Sequence, residues 1–279
     1  MDKVYTGISL IFNTGGSKTK LAISTDGSAL AKTVIYETNQ DFDLWLIEFE
    51  RRAKEMCGDN QIGVICGGIA GSWDEKKTRL LRSPNLREWE NRPIKKKIEE
   101  NFGVPVYLEN DVALEGMGEA KSGAGRRYQI CVFTAIGSGI GGVKIENGKI
   151  CPNAFGYEPG HQILDVDGEV TYWEEFAGGV AMTRTYGQKP ENLKDPEIWE
   201  REVRLLATGL NNVIVMWSPE ILILGGGVMK SVDINLLTDL IKQQMQIFPK
   251  IPKIVLGELG EKAGLYGALA YLESLGIRG

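Results

Sequence analysis

A pattern of strand, glycine-rich turn and strand occurs twice in this chain. The first glycine turn, residues 13–18, is followed by a β-branched run at residues 20–24. The second turn, residues 137–142, joins apolar runs at residues 129–135 and 143–145, about 120 residues later. A repeat at this spacing indicates two structurally related halves that mix strands and helices. We therefore predict an α/β protein with two lobes and a ligand cleft between them.

The composition is that of a folded globular protein. Of the 279 residues, 43% are hydrophobic and 25% are charged, which excludes the disordered and fibrous classes. The length favours one large domain or two modest ones. The net charge of -5 argues against a general nucleic-acid or membrane-surface binder, since either needs a basic field to attract phosphates.

The cysteines and the start of the chain indicate a cellular compartment. The cysteines contain no C-x-x-C pair and no framework typical of secreted domains, so we expect reduced thiols. They are Cys57, Cys66, Cys131 and Cys151. Strand-like sequence starts at Val4 without a signal-peptide pattern, and the apolar runs stay far below the roughly 20 residues of a membrane helix. We expect a soluble, cytoplasmic protein.

Three segments in the second half have the apolar spacing of helices. They are residues 172–186, 196–217 and 263–274. The apolar run at residues 221–224 predicts a strand that ends in three consecutive glycines. Since no low-complexity linker separates the halves, we place the lobe boundary near Asn110.

Each glycine turn has two explanations, a simple hairpin or a phosphate-binding loop. Glycines let phosphate oxygens approach backbone N–H groups, yet they also punctuate strands, and for a single turn the hairpin is the more frequent case. The second turn matches G-x-G-x-x-G, but a dinucleotide fingerprint opens a helix, whereas Asn147 and Gly148 signal a hairpin. The P-loop pattern G-x-x-x-x-G-K-[ST] is absent from the sequence. A Rossmann site and a P-loop site are therefore excluded.

Several acidic residues and the single histidine stand where a site would form. Glu109, Asn110 and Asp111 directly follow a strand, so they are either site residues or the N-cap of the next helix, for which Asp111 is suited. His161 has no partners at metal-ligand spacing. Glu174 and Glu175 stand at the start of a predicted helix, where a solvated first turn is the ordinary explanation. Taken singly, none of these residues identifies a site.

In their order along the chain, these segments resemble the ROK family of sugar kinases and sugar-responsive repressors, which has the actin-like, hexokinase-type fold. The resemblance covers nearly the whole chain. The similar segments are Asn13-Thr14-Gly15-Gly16-Ser17-Lys18, Ser83-Pro84-Asn85-Leu86 with Trp89, Glu109-Asn110-Asp111, Ile136-Gly137-Ser138-Gly139-Ile140-Gly141-Gly142, Glu158-Pro159-Gly160-His161, Leu224-Gly225-Gly226-Gly227-Val228 and Ala263-Gly264-Leu265-Tyr266-Gly267-Ala268. The resemblance implies a two-lobed actin-like ATPase fold, of the ribonuclease H-like kind, with an inter-lobe cleft.

The resemblance also implies lobe boundaries and roles for single residues. The small N-terminal lobe would cover residues 1–110, completed by a C-terminal helix at 263–279, and the large lobe residues 111–262. Asp111 would be the catalytic base. The sugar-binding residues would be Asn85, Asn110, Asp111, Glu158, His161 and Glu174. The ATP-binding residues would be Asn13, Gly15, Gly16, Ser17, Lys18, Gly137, Ser138, Gly139, Gly141, Gly225, Gly226 and Gly227.

The choice of Glu174 over Glu175 rests on spacing within the family motif. The glutamate of the family stands four residues before a small residue that opens a Ser-Gly-like pair, here Gly178 and Gly179. Carboxylates and amides suit sugar hydroxyls, because together they satisfy both donors and acceptors.

The chain departs from the family pattern at two places. Many members carry a Cys-rich zinc loop where residues 164–173 here contain no cysteine, so we expect no zinc. The first phosphate loop of the family usually begins with Asp, whereas Asn13 lacks the negative charge that would help to position Mg²⁺ and its waters. We expect ATP and Mg²⁺ as cofactors, with metal handling that differs from the family pattern.

The resemblance implies a homodimeric enzyme that phosphorylates a hexose, first of all glucose to glucose 6-phosphate. Mannose, fructose, N-acetylglucosamine and N-acetylmannosamine are alternative acceptors, since they differ by contacts worth only a few kcal/mol. A repressor of this family would need a helix-turn-helix, for which strand sequence from Val4 leaves no room, and an actin-like ATPase would release ADP without a sugar. A free aspartate has a pKa of about 3.9, so we expect Asp111 to be ionised.

Overall fold

Strands and helices alternate in two successive series along the chain. The computed structural model describes residues 3–278. The strands are β1 (Lys3–Val4), β2 (Ile8–Thr14), β3 (Lys18–Ser24), β4 (Lys32–Glu37), β5 (Ile62–Ile69), β6 (Ser72–Trp73), β7 (Leu80–Arg82), β8 (Val106–Asn110), β9 (Ile130–Ile136), β10 (Ile140–Glu146), β11 (Lys149–Ile150), β12 (Ile163–Val166), β13 (Glu169–Tyr172), β14 (Ile221–Gly225), β15 (Lys253–Leu256) and β16 (Ile277–Arg278). The helices are α1 (Phe42–Cys57), α2 (Ile94–Phe102), α3 (Asp111–Ser122), α4 (Trp173–Ala177), α5 (Gly179–Tyr186), α6 (Pro196–Trp217), α7 (Ile234–Gln244) and α8 (Ala263–Ser274). Within the described residues, no helix has both the length and the apolar composition needed to cross a membrane.

The two halves of the chain build sheets of the same topology. The first sheet has the strand order β4-β3-β2-β5-β8, and the second has the order β11-β10-β9-β14-β15. In each sheet the first three strands in sequence are antiparallel, and the last two are added in parallel. The glycine turns occupy equivalent places, between β2 and β3 and between β9 and β10. The prediction of two related halves is confirmed.

Capping residues explain where the longer helices begin. The Asp41 side chain accepts two backbone N–H groups of the first turn of α1, and Asp195 accepts one in α6. α6 then opens with proline, whose missing N–H has no partner at this position in any case. The helices predicted at residues 196–217 and 263–274 are confirmed as α6 and α8. The wider bound of 263–279 for the last helix is wrong, because α8 ends at Ser274 and Ile277–Arg278 form β16.

The prediction of one continuous helix over residues 172–186 is wrong. The segment forms α4 and α5, which meet at Gly178, where the backbone is extended (φ -76°, ψ 152°). The break turns the first N–H of α5 away from α4. Gly179 N–H donates instead to the carbonyl oxygen of Gly137 at 2.8 Å, which ties α5 to the second glycine turn. A tertiary hydrogen bond therefore overrides the local helix pattern.

Helices α3 and α8 lie between the two sheets and cross at very close range. A Cβ added to Gly118 of α3 would lie 2.1 Å from the carbonyl oxygen of Ala263, and one added to Gly267 of α8 would lie 1.7 Å from that of Leu114. Leu114 packs into the core of the first sheet, whereas Met117 packs into a core beneath the second. Since α3 contacts both sheets, the lobe boundary at residue 110 stays a prediction.

The crossing generates a stability prediction. Gly267→Ala should destabilise the protein by at least about 1–3 kcal/mol, because the added methyl cannot fit beside the Leu114 carbonyl unless the helices separate. Urea unfolding followed by circular dichroism measures the change. Gly227→Ala is the matched control, because its backbone is helical (φ -66°, ψ -36°) and none of the described residues lies within 4 Å of its added Cβ. Equal stability of the two variants would contradict the account of the crossing.

Candidate active site

A pocket between the two halves is lined by both of them. In the first sheet, Ile69 at the end of β5 lies opposite Asn110 at the end of the parallel strand β8. In the second sheet, Gly225 of β14 lies opposite Ala135 of the parallel strand β9. The first half contributes Gly71, Glu109 and Asn110 to the pocket wall, and the second half contributes Gly142, Tyr157 and Glu158. The carboxyl ends of parallel strands, where α/β proteins bind ligands, thus carry the predicted motifs.

Asp111 is the first residue of α3, and it does not cap the helix. The N-cap is Asn110, whose Oδ1 accepts the N–H of Ala113 at 2.9 Å. The Asn110 Nδ2 donates to the carbonyl of Gly71 at 3.1 Å. The Asp111 carboxylate instead faces the first glycine turn, where a Cβ added to Gly15 would lie 3.9 Å from Oδ2. The explanation of Asp111 as the helix cap is therefore wrong, because the cap is the preceding residue, Asn110. The carboxylate of Asp111 stays available for a ligand.

The surroundings make Asp111 a stronger base than a free aspartate. Burial raises the pKa of its carboxyl to about 7, and the negative charges of Glu115 and Glu158 add to the rise. The pKa of Asp111 thus lies well above that of a free aspartate, because desolvation disfavours the charged form. A group whose pKa lies near the working pH is well suited to accept a proton.

His161 and Glu174 form a joined pair beside the second glycine turn. His161 Nε2 lies 3.1 Å from Glu174 Oε1, and the imidazole stacks on Tyr172 with ring centroids 4.8 Å apart. Glu174 Oε2 accepts the backbone N–H of Ile140 at 3.0 Å. Glu175, by contrast, is exposed and pairs with Arg184. The structure thus brings together Glu174 and His161, and it places Glu175 outside the group.

The first glycine turn is a tight hairpin in which Gly15 and Gly16 have no side chains to cover the backbone. Gly15 N–H donates to the carbonyl oxygen of Lys18 at 3.0 Å, and the side chains of Ser17 and Lys18 are exposed at its tip. A Cβ added to Gly16 would lie 2.5 Å from the Cβ of Asn85. Asn85 therefore packs against this turn. Like Asp111, His161 and Glu174, it is absent from the residues that line the pocket beside Asn110.

The second glycine turn is closed by its own backbone and faces helix α3. Gly137 N–H donates to the Gly139 carbonyl at 2.9 Å, and Ser138 is exposed at the tip. A Cβ added to Gly139 would meet Glu174 Oε2 at 2.5 Å, and one added to Gly141 would meet Val112 at 3.0 Å. Both turns are thus hairpins, the structure that is the more frequent one for a single glycine turn. Both also expose backbone at strand ends.

The glycine run after β14 lies against the second turn. Gly226 has a positive φ of 89°, and a Cβ there would lie 2.2 Å from the carbonyl oxygen of Ile136. A Cβ on Gly225 would touch the ring of Phe133. Gly227 has open space around it, measured over the described residues, and precedes the 3₁₀ turn Val228–Ser231. The close approach explains why glycines stand here.

Two charged residues of the site were not found by reasoning from the sequence. Lys77 Nζ lies 2.7 Å from Glu109 Oε1, which also accepts the backbone N–H of Asn110, so a buried ion pair holds the end of β8. Glu115 Oε1 accepts from Asn13 Nδ2 at 3.4 Å. The one available signal for Glu115 was its position four residues after Asp111, on the same helix face.

The oxygen donors around Asn13 are of the kind that Mg²⁺ prefers. Asn13 is buried, with 3% exposure, and its Oδ1 accepts no hydrogen bond from the residues described. Leaving a buried polar atom without a partner costs about 1–3 kcal/mol. Within residues 3–278, no three His, Cys, Asp or Glu side chains are grouped so that they could hold a metal ion. The residues thus fit a Mg²⁺ held mainly by phosphates and waters.

The segment that takes the place of the zinc loop is a short β-hairpin. β12 and β13 pair in antiparallel fashion, with Ile163 opposite Tyr172 and Asp165 opposite Val170. The absence of zinc stays a prediction that rests on the cysteine-free sequence of this segment.

Comparison with known proteins covers both halves of the chain. The sequence model of the ROK family matches residues 10–274. A glucokinase from Thermotoga maritima is 26% identical, over 90% of this chain and 92% of its own length. A fructokinase from Zymomonas mobilis is 29% identical, over 92% and 93%. A ROK family glucokinase from Streptomyces griseus, solved in complex with glucose and AMPPNP, superposes with a TM-score of 0.78 at 24% identity, over 94% and 98%. The predicted two-lobed actin-like fold is confirmed.

The raised pKa of Asp111 generates a stability prediction. The folded-state pKa of about 7 lies above the unfolded value of about 3.9. Ionisation of Asp111 therefore destabilises the folded protein increasingly as the pH rises above about 4, and this destabilisation is complete above about pH 7. Asp111→Asn should therefore raise the Tm at pH 8 by at least about 2–4 °C, the shift that 1 kcal/mol produces in a chain of this size. The gain should shrink as the pH falls from 8 to 5.

Scanning calorimetry across this pH range measures the effect. Glu175→Gln serves as the control, because this carboxylate is exposed and its substitution should leave the Tm nearly constant. If the difference in Tm between Asp111→Asn and the parent protein did not change with pH, the carboxyl of Asp111 would not be desolvated.

Proposed function

Because the chain belongs to the ROK family, we propose that it transfers the γ-phosphoryl group of ATP to a hydroxyl of a hexose, with Asp111 as the general base. The observation that carries the proposal is the uncapped Asp111 carboxylate, which has a pKa of about 7 and faces Gly15 of the first glycine turn. A proton acceptor and a phosphate-sized backbone turn are thus adjacent. Phosphoryl transfer requires this arrangement more than it requires covalent help from the protein.

The proposed step conserves atoms and charge. The sugar hydroxyl oxygen forms a bond to the γ-phosphorus while the bond from that phosphorus to the bridging oxygen of ATP breaks. The electron pair of the broken bond stays on ADP, and the hydroxyl proton passes to the Asp111 carboxylate. A pKa near neutrality keeps a usable fraction of Asp111 deprotonated while making it basic enough to accept this proton.

The sugar would lie in the pocket between Asn110 and Glu158. Asn110 uses Oδ1 and Nδ2 once each for the helix cap and the Gly71 carbonyl, which leaves one acceptor site and one N–H for a sugar hydroxyl. Glu158 lines the pocket from the opposite wall. The pair of His161 and Glu174 would close the sugar site, since their contact fixes both side chains before a ligand arrives. Asn85 would contact the sugar from the side of the first glycine turn.

ATP would lie along the three glycine segments. Residues 13–18 and 137–141 would surround the phosphates, and residues 225–227, which adjoin the second turn, would contact the adenosine. Mg²⁺, when bound, would neutralise charge on the phosphates. Backbone N–H groups of the two turns would contact the phosphates, since glycines lack the Cβ that would block the approach.

Glucose is the acceptor we propose first, because the acceptor motifs resemble those of glucokinases. The relatives at similar identity include a glucokinase and a fructokinase, so the alternative acceptors are the other hexoses and the N-acetylhexosamines. These differ by one or two contacts worth a few kcal/mol. We propose a homodimer, in keeping with the prevalence of twofold symmetry among soluble oligomers.

The first functional prediction concerns Asp111. With ATP and Mg²⁺ present, the protein should release ADP only when a hexose is added, and Asp111→Asn should lower that rate by about 10²–10⁴-fold while sugar binding remains. Coupled ADP detection over a panel of hexoses measures turnover, and calorimetry measures sugar binding. Asp167→Asn, in the exposed turn between β12 and β13, should keep full activity. Sugar-independent ADP release would instead indicate an actin-like ATPase.

The second functional prediction separates the two adjacent glutamates. Glu174→Gln should raise the KM for the sugar by about 10–100-fold, since hydrogen bonds to charged groups contribute about 1.5–3 kcal/mol. Glu175→Gln should leave the KM unchanged, because Glu175 is exposed and pairs with Arg184 rather than with His161. Steady-state kinetics with the preferred sugar compares the two variants. A larger effect at Glu175 would overturn the assignment of Glu174.

A further inference from the structure

Glu115 is a carboxylate close to Asn13 and Asp111 to which no role has been given. It lies on α3, one turn after Asp111, and its Oε1 is 3.4 Å from Nδ2 of Asn13. Asn13 stands at the carboxyl end of β2, two residues before Gly15 of the first glycine turn. Glu115 is thus beside the turn that we assign to the phosphates, on the side from which Asp111 faces it.

The contact with Glu115 sets the orientation of the Asn13 amide. Because Nδ2 is directed at a carboxylate, the amide oxygen must point the other way, and the reverse placement would oppose two acceptors. Oδ1 then lies on the side of Gly68, where an added Cβ would come 2.2 Å from Oδ1 and 2.8 Å from the Cα of Asp111. This buried oxygen is without a donor in the described part of the chain. An acceptor is thus directed at the start of α3, where it requires a donor such as a bound water.

The charges around Glu115 leave a surplus of negative charge. Lys20 is the cross-strand partner of Asn13, so its positive charge lies on the same face of the sheet. Glu119, one turn further along α3, accepts three backbone N–H groups, which satisfy its carboxylate. Lys20 is thus the positive charge that acts on Glu115, whereas Glu115 and Glu158 are the charged groups that act on Asp111. Burial raises the pKa of Glu115, which reflects a carboxylate without full compensation from the protein.

We propose that Glu115 is a positioning residue for the Mg²⁺ of the nucleotide, supplying from α3 the negative charge that Asn13 does not supply from β2. Its carboxylate would accept hydrogen bonds from waters on the metal, and Asn13 Oδ1 would accept another. This inference rests on the proposed function, because it places the triphosphate at the first glycine turn. A neutral residue at position 13 is then required, since two carboxylates 3.4 Å apart would repel each other.

The test measures nucleotide binding without turnover. Calorimetry gives the affinity of the protein for AMPPNP in Mg²⁺ and in EDTA, and the ratio of the two affinities is the Mg²⁺ enhancement. Glu115→Gln should lower this enhancement by about 10–100-fold, the usual effect of removing a group that holds a ligand of the metal. The affinity in EDTA and the affinity for sugar should stay the same. Electron paramagnetic resonance of Mn²⁺ bound with AMPPNP gives an independent readout.

Two further variants separate a metal role from a structural one. Glu261→Gln is the matched control, because Glu261 lies 3.9 Å from Lys18 at the rim of the first glycine turn and does not face Asn13. It should keep the full enhancement. Adding Asn13→Asp to Glu115→Gln should restore the enhancement, since it returns the charge to β2. A purely structural hydrogen bond between residues 13 and 115 would not give this rescue.

The outcomes distinguish the inference from the function on which it rests. An unchanged Mg²⁺ enhancement in Glu115→Gln, or no rescue in the double variant, overturns the role of Glu115 even if the parent protein phosphorylates a hexose. Loss and rescue of the enhancement support the role of Glu115, and a parent protein that phosphorylates none of the hexoses then contradicts the proposed acceptor alone. A parent protein with no Mg²⁺ enhancement overturns the inference directly.

Discussion

The close crossing of α3 and α8 holds the two halves of the molecule in register. At Gly118 and Gly267 the backbones approach so closely that an added Cβ would lie 2.1 and 1.7 Å from a carbonyl oxygen of the other helix. α3 begins with Asp111, and α8 brings Gly264 against the side chain of Asn13. The crossing thus determines the distance between the proposed base, the first glycine turn and the second sheet.

The same helix concentrates negative charge where folding disfavours it. Asp111 and Glu115 share one face of the first two turns of α3, and burial raises the pKa of both carboxyls. The N-terminus of a helix offers some compensation, since its free N–H groups favour a negative charge. The remaining cost fits a site that is completed by ligands. Burial of Asp111 and Glu115 thus lowers the free energy of unfolding. The same burial gives the proposed base a pKa near neutrality and leaves Glu115 able to bind waters of a metal ion.

Much of the fold follows from local sequence, because its signals are local. The cap Asp195 and the proline after it predict the start of α6, and the repeated glycine turns predict the two related sheets. The break at Gly178 was not predictable, since it depends on a hydrogen bond from Gly179 to the turn at Gly137. Propensity describes a segment by itself, whereas this bond joins segments about 40 residues apart.

The site shows the same division between local and distant information. The ordered motifs lead to Asp111, although Asn and Asp are equally good caps, so only the structure shows that Asn110 caps α3. Asn13 and Glu115 are 102 residues apart, and Lys77 and Glu109 are 32 apart. The local sequence of either residue does not predict its partner. The departure from the family pattern at Asn13 was visible in the sequence, but its contact with Glu115 was not.

A structure of the protein with glucose and AMPPNP tests the central claim most directly. We expect a sugar hydroxyl within about 2.6–3.2 Å of an Asp111 carboxylate oxygen, the reach of a general base. The γ-phosphate should lie beyond that hydroxyl, at residues 13–18. A sugar bound away from Asp111, or a γ-phosphate on the far side of the pocket from Gly15, would contradict it.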